Sequence, residues 1–112
     1  GVVITAKGKQ PENSEQSSGE GQQTEYYDCV SRYFVPAEGI DEDPVTGSIH
    51  AALGMYWSDI LGKSRLSAYQ ASKRGGQLDI KVEEAWVHIA GHTVTFMTGM
   101  ITLPKSTLGL EG

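Results

Sequence analysis

The feature of the sequence best suited to chemistry is an acidic residue before a proline, followed by a Thr-Gly-Ser step and an apolar run. Asp43, Thr46 and Ser48 supply side-chain oxygen atoms, and Gly47 contributes bare backbone. The run 48–61 predicts a helix that starts at this step. The first turn of a helix has free N–H groups and a positive dipole end, and a glycine lets a ligand approach them closely. The pattern therefore predicts an anion site with a carboxylate beside it, placed to meet a substrate amine or a proton.

The same residue types have a purely structural use. Asp43, Thr46 and Ser48 are all common helix caps, and Pro44 helps to fix the chain where a helix begins. Capping is the more frequent role of such residues. From the pattern alone, capping and ligand binding therefore both stay open.

The predicted helix is unusual because it is apolar on most sides. Apolar side chains fill one face and much of the remainder: Ile49, Ala51, Ala52, Leu53, Met55, Tyr56, Trp57 and Ile60. The strongly polar side chains are His50, Ser58 and Asp59, and Gly62 suits the C-terminal stop. A helix of this kind must be enclosed. We therefore expect an α+β fold in which a curved antiparallel sheet or barrel wraps around one central buried helix.

Strand patterns lie on both sides of the helix. Five segments have strand composition or alternation: 1–8, 26–36, 77–83, 85–90 and 92–103. The short link at Glu84 predicts a hairpin between 77–83 and 85–90. Residues 9–24 contain no aliphatic or aromatic side chain except the aliphatic part of lysine and proline, which predicts a disordered loop insertion.

Composition limits the class of protein. The chain has 112 residues and a formal net charge of -5, so we expect a single domain over 1–112 that binds no nucleic acid. No apolar run is long enough for a membrane span, and the lone Cys29 fits a reducing, cytoplasmic setting. His50, His88 and His92 are scattered, so no metal site is predicted.

Several motifs in order resemble the second half of the phenazine-biosynthesis PhzF-like family. They are EDPVTGSIHAALGMYW, QASKRGGQLDIKVE and VHIAG, preceded by VVITAKG and YDCVSRYFVPAEGI. The resemblance implies a fold like diaminopimelate epimerase, with two similar domains whose helix N-termini face each other across the active site. It also implies an isomerase that needs no cofactor and moves a proton on a small metabolite bearing an amine and a carboxylate.

The resemblance assigns roles to individual residues. Asp43 and Ser48 match catalytic positions, with Asp43 at the substrate or in the proton shuttle and Ser48 as a hydrogen-bond donor. The backbone N–H groups of Gly47 and Ser48 would hold the substrate carboxylate. The implied substrate-binding set is Thr46, Gly47, Ser48, His50, Gln70, Arg74 and Gly75.

The family's principal acid/base glutamate belongs to its first domain, which this sequence does not include. Glu42 does not match that glutamate's motif. We therefore expect the chain to supply half a cleft, to be inactive alone, to pair with the missing N-terminal domain, and to form homo-oligomers through exposed apolar surface. The alternatives are a non-catalytic protein-interaction module and a small-anion-binding module.

Overall fold

Six strands and one α-helix make up the computed structural model, which describes residues 1–9 and 26–108. Except for Lys9, the predicted loop insertion 9–24 lies outside the described residues. The strands are β1 (Val2–Lys7), β2 (Cys29–Val35), β3 (Ile40–Asp43), β4 (Arg65–Gln70), β5 (Gly76–Val82) and β6 (Val87–Gly91). The helix α1 spans Gly47–Leu61, and short 3-10 helices span Pro36–Glu38 and Lys105–Leu108.

The strands form one sheet in the order β1-β2-β4-β5-β6, with β3 also paired to β2. The predicted α+β class is confirmed, and so is the β5–β6 hairpin, in which Val82 pairs with Val87. One pairing differs from the expected antiparallel arrangement, because β2 and β4 are parallel. The chain passes through α1 between them, and a helical crossover is what a parallel pair requires.

The topology brings the ends of β3 and β4 together. Because β1 pairs with β2 along one edge, β3 and β4 share its other edge. Ser31 is opposite Gln70, the last residue of β4, and Tyr33 is opposite Asp43, the last residue of β3. The two strand ends therefore meet where α1 begins.

The core lies between α1 and one face of the sheet. Its buried members are Cys29, Leu53, Trp57, Leu66, Ala68 and Ile80. The predicted alternation of β5 is present, since Leu78 and Ile80 are buried while Gln77 and Asp79 are exposed. Burial, with a smaller contribution from Asp28, raises the pKa of the Cys29 thiol to about 11, as expected of a structural cysteine.

Among the residues that the structure describes, one side of α1 is covered by the sheet and the other is exposed. His50, Leu53, Gly54 and Trp57 are buried, whereas Met55, Tyr56 and Ile60 remain more than half exposed. The expectation of an enclosed helix is thus met on the face that packs on β4, β5 and β6. Gly62 ends the helix in the left-handed conformation, with φ 66°.

The C-terminal segment departs from its prediction. Residues 92–104 contain no strand in the described structure, and Val94, Phe96 and Met100 are almost fully exposed. The strand prediction for 92–103 is therefore wrong here. The segment has strand-like side chains, but a strand also needs a neighbour for its backbone hydrogen bonds, and β6 is the last strand of the described sheet.

Two strands, β3 and β4, have no counterpart among the predicted segments. β4 matters most because it lies between β2 and β5. Within the described ranges, α1 is too short and insufficiently apolar to cross a bilayer, and no other helix qualifies.

Candidate active site at the start of helix α1

The candidate site is built around residues 43–46, here called the Asp-Pro loop, which joins β3 to α1. Asp43 ends β3 and Thr46 is the N-cap residue of α1. The Thr46 hydroxyl donates a hydrogen bond to Asp43 Oδ2, so the carboxylate is held beside the helix start. Asp43 is partly exposed, and Gly47 and Ser48 are exposed.

The start of α1 has no side-chain cap from Thr46. The Thr46 hydroxyl instead donates its hydrogen bond to the Asp43 carboxylate. Capping by Thr46, the simplest structural interpretation of the motif, is therefore wrong for this structure. Gly47 and Ser48, whose N–H groups belong to the first turn of α1, are exposed residues next to the Asp43 carboxylate.

Gln70 anchors both ends of the Asp-Pro loop. Its Oε1 accepts a hydrogen bond of 2.7 Å from the Thr46 N–H, and its Nε2 donates one of 2.8 Å to the Asp43 carbonyl oxygen. A longer bond of 3.3 Å runs from Nε2 to Thr46 Oγ1. Gln70 is fully buried, so its contacts are with the loop rather than with the cleft.

The turn between β4 and β5 supports the middle of the same loop. The Ser72 hydroxyl donates a 2.7 Å bond to the Pro44 carbonyl oxygen and accepts one of 2.9 Å from the Gly75 N–H. A Cβ on Gly76 would lie 2.2 Å from Cγ2 of Val45, so only glycine lets the loop pack this closely. The segment 70–76 therefore contacts every residue of the loop.

His50 holds the loop from the helix side. Its Nδ1 lies 2.6 Å from the Thr46 carbonyl oxygen, and because a carbonyl only accepts, Nδ1 carries the hydrogen. His50 is completely buried, and Nε2 has no hydrogen-bond partner among the described residues. In this arrangement His50 orients the loop and does not reach the solvent-facing side of the helix start.

The state of His50 predicts a pH dependence of stability. Burial lowers the pKa of His50 below its ordinary value of 6.5, and the hydrogen bond to Thr46 partly opposes this shift. Below pH 6.5 the unfolded chain therefore binds more protons than the folded one. This contribution to stability is complete above that pH and is lost as the pH falls toward the folded pKa.

We expect the free energy of unfolding in urea to decline between about pH 7 and about pH 5. His50→Asn keeps a donor for Thr46 but does not titrate. It should therefore remove the part of the decline in unfolding free energy that is due to His50. The exposed His88 and His92 remain in both proteins as internal controls. If the free energy of unfolding has the same pH profile in the wild type and the variant, the predicted contribution of His50 is contradicted.

Glu42 is engaged by a neighbour that the sequence did not single out. Arg32 donates from Nε to Oε1 at 2.8 Å and from Nη2 to Oε2 at 2.9 Å. These hydrogen bonds hold the pKa of Glu42 below its ordinary value. A carboxylate bound at both oxygens is a poor general base, which agrees with leaving Glu42 out of the catalytic set.

A mixed-charge groove of about 680 Å³ runs beside the loop. It is lined by Asp41, Glu42, Pro44, Ser72, Lys73 and Arg74. Arg74 is exposed, and it also borders the neighbouring depression at Gly75 and Gly76. Arg74 therefore lies where it could contact a ligand held at the loop. Gly75 has φ 74°, so it shapes the turn, and its N–H is bound by Ser72.

The structure thus divides the predicted site residues into two groups. Asp43, Gly47, Ser48 and Arg74 are accessible at the helix start or the adjacent groove. Thr46, His50, Gln70 and Gly75 hold the loop through hydrogen bonds within the protein. Ser72 and Arg32 were missed by sequence reasoning. A serine or arginine in a strand or turn carries no local signal of its partner.

No group of three or more His, Cys, Asp or Glu side chains in the described ranges is arranged to hold a metal ion. The larger groove of about 810 Å³ lies near the other end of α1, at Met55, Tyr56 and Trp86. It contains none of the residues of the Asp-Pro loop.

Comparison with known proteins identifies the family to which the chain is similar. Residues 5–99 match the family described as phenazine biosynthesis-like protein. An uncharacterized isomerase from Pseudomonas aeruginosa is 45% identical over 103 residues, covering 92% of this chain and 33% of the relative. An uncharacterized isomerase from Halalkalibacterium halodurans is 42% identical, covering 92% of this chain and 34% of the relative.

A solved structure extends the match to three dimensions. The crystal structure of a PhzF-family phenazine biosynthesis protein from Enterococcus faecalis has a TM-score of 0.65 and 41% identity, covering 91% of this chain and 33% of that one. The chain thus spans about a third of the length of the relatives that it matches. Both the sequence motifs and the sheet-and-helix architecture place this chain in the phenazine biosynthesis-like, or PhzF-like, family.

Proposed function

We propose that the chain supplies one side of the cleft of an isomerase that moves a proton on a small metabolite carrying a carboxylate and an amine. The observation that carries the proposal is the uncapped start of α1 beside the Asp43 carboxylate. Backbone N–H groups at Gly47 and Ser48 would bind the substrate carboxylate, and the Ser48 hydroxyl would add a hydrogen bond. The names of two relatives as isomerases support the reaction class.

Asp43 has the second role in this proposal. One carboxylate oxygen accepts the Thr46 hydroxyl, which leaves the other for a substrate amine or for a proton in transit. Arg74, at the edge of the adjacent groove, would contact an anionic part of the substrate. The N–H groups of Gly47 and Ser48 are held in place by the helix before the substrate arrives, which is the arrangement that stabilises developing negative charge.

A complete proton transfer needs a base on the opposite side of the substrate. Glu42 is bound by Arg32 and does not face the reaction as a free carboxylate. The proposal therefore places the principal base in the part of the relatives that this chain does not span, so the 112-residue chain alone is inactive. A cofactor-independent reaction, a cytoplasmic location and homo-oligomers formed through apolar surface belong to the same proposal.

Solvent deuterium exchange tests the reaction class. The full-length Pseudomonas aeruginosa relative is first incubated in D₂O with a panel of small amino- and carboxyl-bearing metabolites, to find one that exchanges a carbon-bound proton. That substrate is then given to the chain alone and to a chimera in which this chain replaces the matched third of the relative. The proposal predicts exchange by the chimera and none by the chain.

A folded chimera that does not exchange a substrate accepted by its parent would contradict the proposed role of this chain. Exchange by the 112-residue chain alone would contradict the placement of the base. A second candidate function, a small-anion-binding module, is supported by the same uncapped helix start. It predicts that this chain binds carboxylates, and that neither the chain nor the chimera exchanges the substrate proton.

A further inference from the structure

We propose that Gln70 is the positioning residue of this site, and that it keeps the start of α1 open for an anion by preventing Thr46 from capping the helix. The inference rests on the proposed function for the nature of the ligand. It assigns Gln70 a role without substrate contact, since this side chain is fully buried at the end of β4.

The hydrogen bonds of Gln70 need both ends of its carboxamide. The oxygen accepts from the Thr46 N–H, while the nitrogen donates to the Asp43 carbonyl oxygen and to Thr46 Oγ1. A glutamine side chain has two donors and one accepting oxygen, so both kinds of group are in use. Neither an ionised carboxylate nor an apolar side chain of the same length can reproduce this set.

These bonds explain why Thr46 does not cap α1. Threonine is a favoured N-cap residue because its hydroxyl oxygen accepts from the N–H groups of the first turn. Here Gln70 Nε2 donates to that oxygen, and the hydroxyl hydrogen points to Asp43 Oδ2. Gln70 also accepts a hydrogen bond from the Thr46 N–H, so the backbone of Thr46 is held as well as its hydroxyl.

Loss of the Gln70 amide would remove the donor to the Thr46 hydroxyl oxygen and also release the Thr46 backbone N–H. The hydroxyl could then turn toward the N–H groups of Ser48 and Ile49, the second and third residues of the helix. A capped first turn competes with an external anion for the same N–H groups. Asp43 would at the same time lose the partner of its backbone carbonyl. Gln70 thus affects both the first-turn N–H groups of α1 and Asp43, because the Asp-Pro loop positions both.

Ser31 provides a matched control. It lies opposite Gln70 on β2, it is also buried, and its hydroxyl has no hydrogen-bond partner among the described residues. Ser31→Ala changes a polar side chain in the same layer but touches no bond to the Asp-Pro loop. A general effect of altering this layer would appear in Ser31→Ala, whereas an effect through the loop would not.

Two variants of Gln70 separate positioning from simple packing. Gln70→Met keeps the length of the side chain and removes both polar ends. Gln70→Glu behaves differently with pH, because a protonated carboxyl can donate to the Asp43 carbonyl oxygen and accept from the Thr46 N–H, whereas the ionised form can only accept. Position 70 is fully buried, and burial raises the pKa of a carboxyl group above its ordinary value. The effect of Gln70→Glu should therefore be small at low pH and grow as the introduced acid ionises.

The experiment measures amide chemical shifts and hydrogen exchange in the full 112-residue chain. The probe is trifluoroacetate, a carboxylate that stays ionised from about pH 5 to about pH 8. We expect wild type and Ser31→Ala to bind it equally at the Gly47 and Ser48 amides. Gln70→Met should bind about tenfold more weakly at every pH, the equivalent of one hydrogen bond. Gln70→Glu should match the wild type near pH 5 and approach the methionine variant near pH 8.

Hydrogen exchange without any ligand gives an independent readout. The Ser48 and Ile49 amides should exchange about tenfold more slowly in Gln70→Met, because Thr46 now caps them. Unchanged exchange in a folded Gln70→Met variant overturns the inference, as does a Gln70→Glu pH profile parallel to that of the wild type. If Gln70→Met does not fold, the binding of trifluoroacetate by Gln70→Glu at the two pH values tests the inference instead. Failure of the wild type to bind the probe, with the exchange difference intact, counts against the proposed function alone.

Discussion

Asp43→Asn should lower the rate of substrate proton exchange in the chimera by about 10²- to 10⁴-fold, the usual contribution of an acid or base group. The amide oxygen of the asparagine can still accept the Thr46 hydroxyl, so the Asp-Pro loop should keep its shape. The variant loses the negative charge and the ability to carry a proton. The loss should fall mainly on kcat if Asp43 shuttles the proton, and mainly on KM if it only binds the amine.

Asp41→Asn is the matched control for this prediction. Asp41 lies in the same strand two residues earlier, and it is exposed at the edge of the adjacent groove. The control removes the same charge from the same neighbourhood without touching Thr46. Equal losses in the two variants would show a general effect of charge, and exchange unchanged in Asp43→Asn would remove Asp43 from the mechanism.

Trp57→Ala should destabilise the chain by about 3–5 kcal/mol, a large fraction of the stability of an ordinary domain. Trp57 is 7% exposed and packs in the core between α1 and the sheet. Its Nε1 donates a 3.0 Å bond to Thr5 Oγ1, which in turn donates 2.8 Å to the Val30 carbonyl oxygen. The side chain therefore ties α1 to β1 and β2, although α1 packs mainly on the other strands.

Urea unfolding followed by far-UV circular dichroism measures the effect. Trp57→Phe separates the hydrogen bond from the buried area, and it should cost much less because most of the packing is retained. Met55→Ala is a control on the same helix, since Met55 is 62% exposed and lies outside the core cluster. A similar loss for Met55→Ala and Trp57→Ala would contradict the assigned core.

Local patterns predicted the elements that have one clearly buried face. β5 shows the alternation of a half-buried strand, and α1 shows a long apolar run between a proline and Gly62. β3 has only four residues and β4 is mixed in composition, so their pairing with β2 decides their conformation. The segment 92–103 shows the reverse case, because its composition is strand-like but the described sheet offers it no neighbour.

The site residues show the same contrast between features set by a local motif and features set by distant contacts. The position of Asp43 beside the start of α1 was predictable because both belong to one contiguous motif. Whether Thr46 caps that helix depends on Gln70, which is 24 residues away and reaches the loop only because β3 and β4 end side by side along β2. The resemblance indicated that Gln70 belongs near the cleft, but only the fold shows that it binds the loop.

The most direct test of the central claim is an NMR titration of the wild-type chain with trifluoroacetate. An open anion site at the start of α1 predicts saturable shifts concentrated at the Gly47 and Ser48 amides. Arg74→Gln serves as the control, because a surface cation in the adjacent groove could attract the same anion. Saturable shifts that persist in Arg74→Gln are the result we predict. No saturable shift at Gly47 and Ser48, or shifts lost completely with Arg74, would contradict the claim.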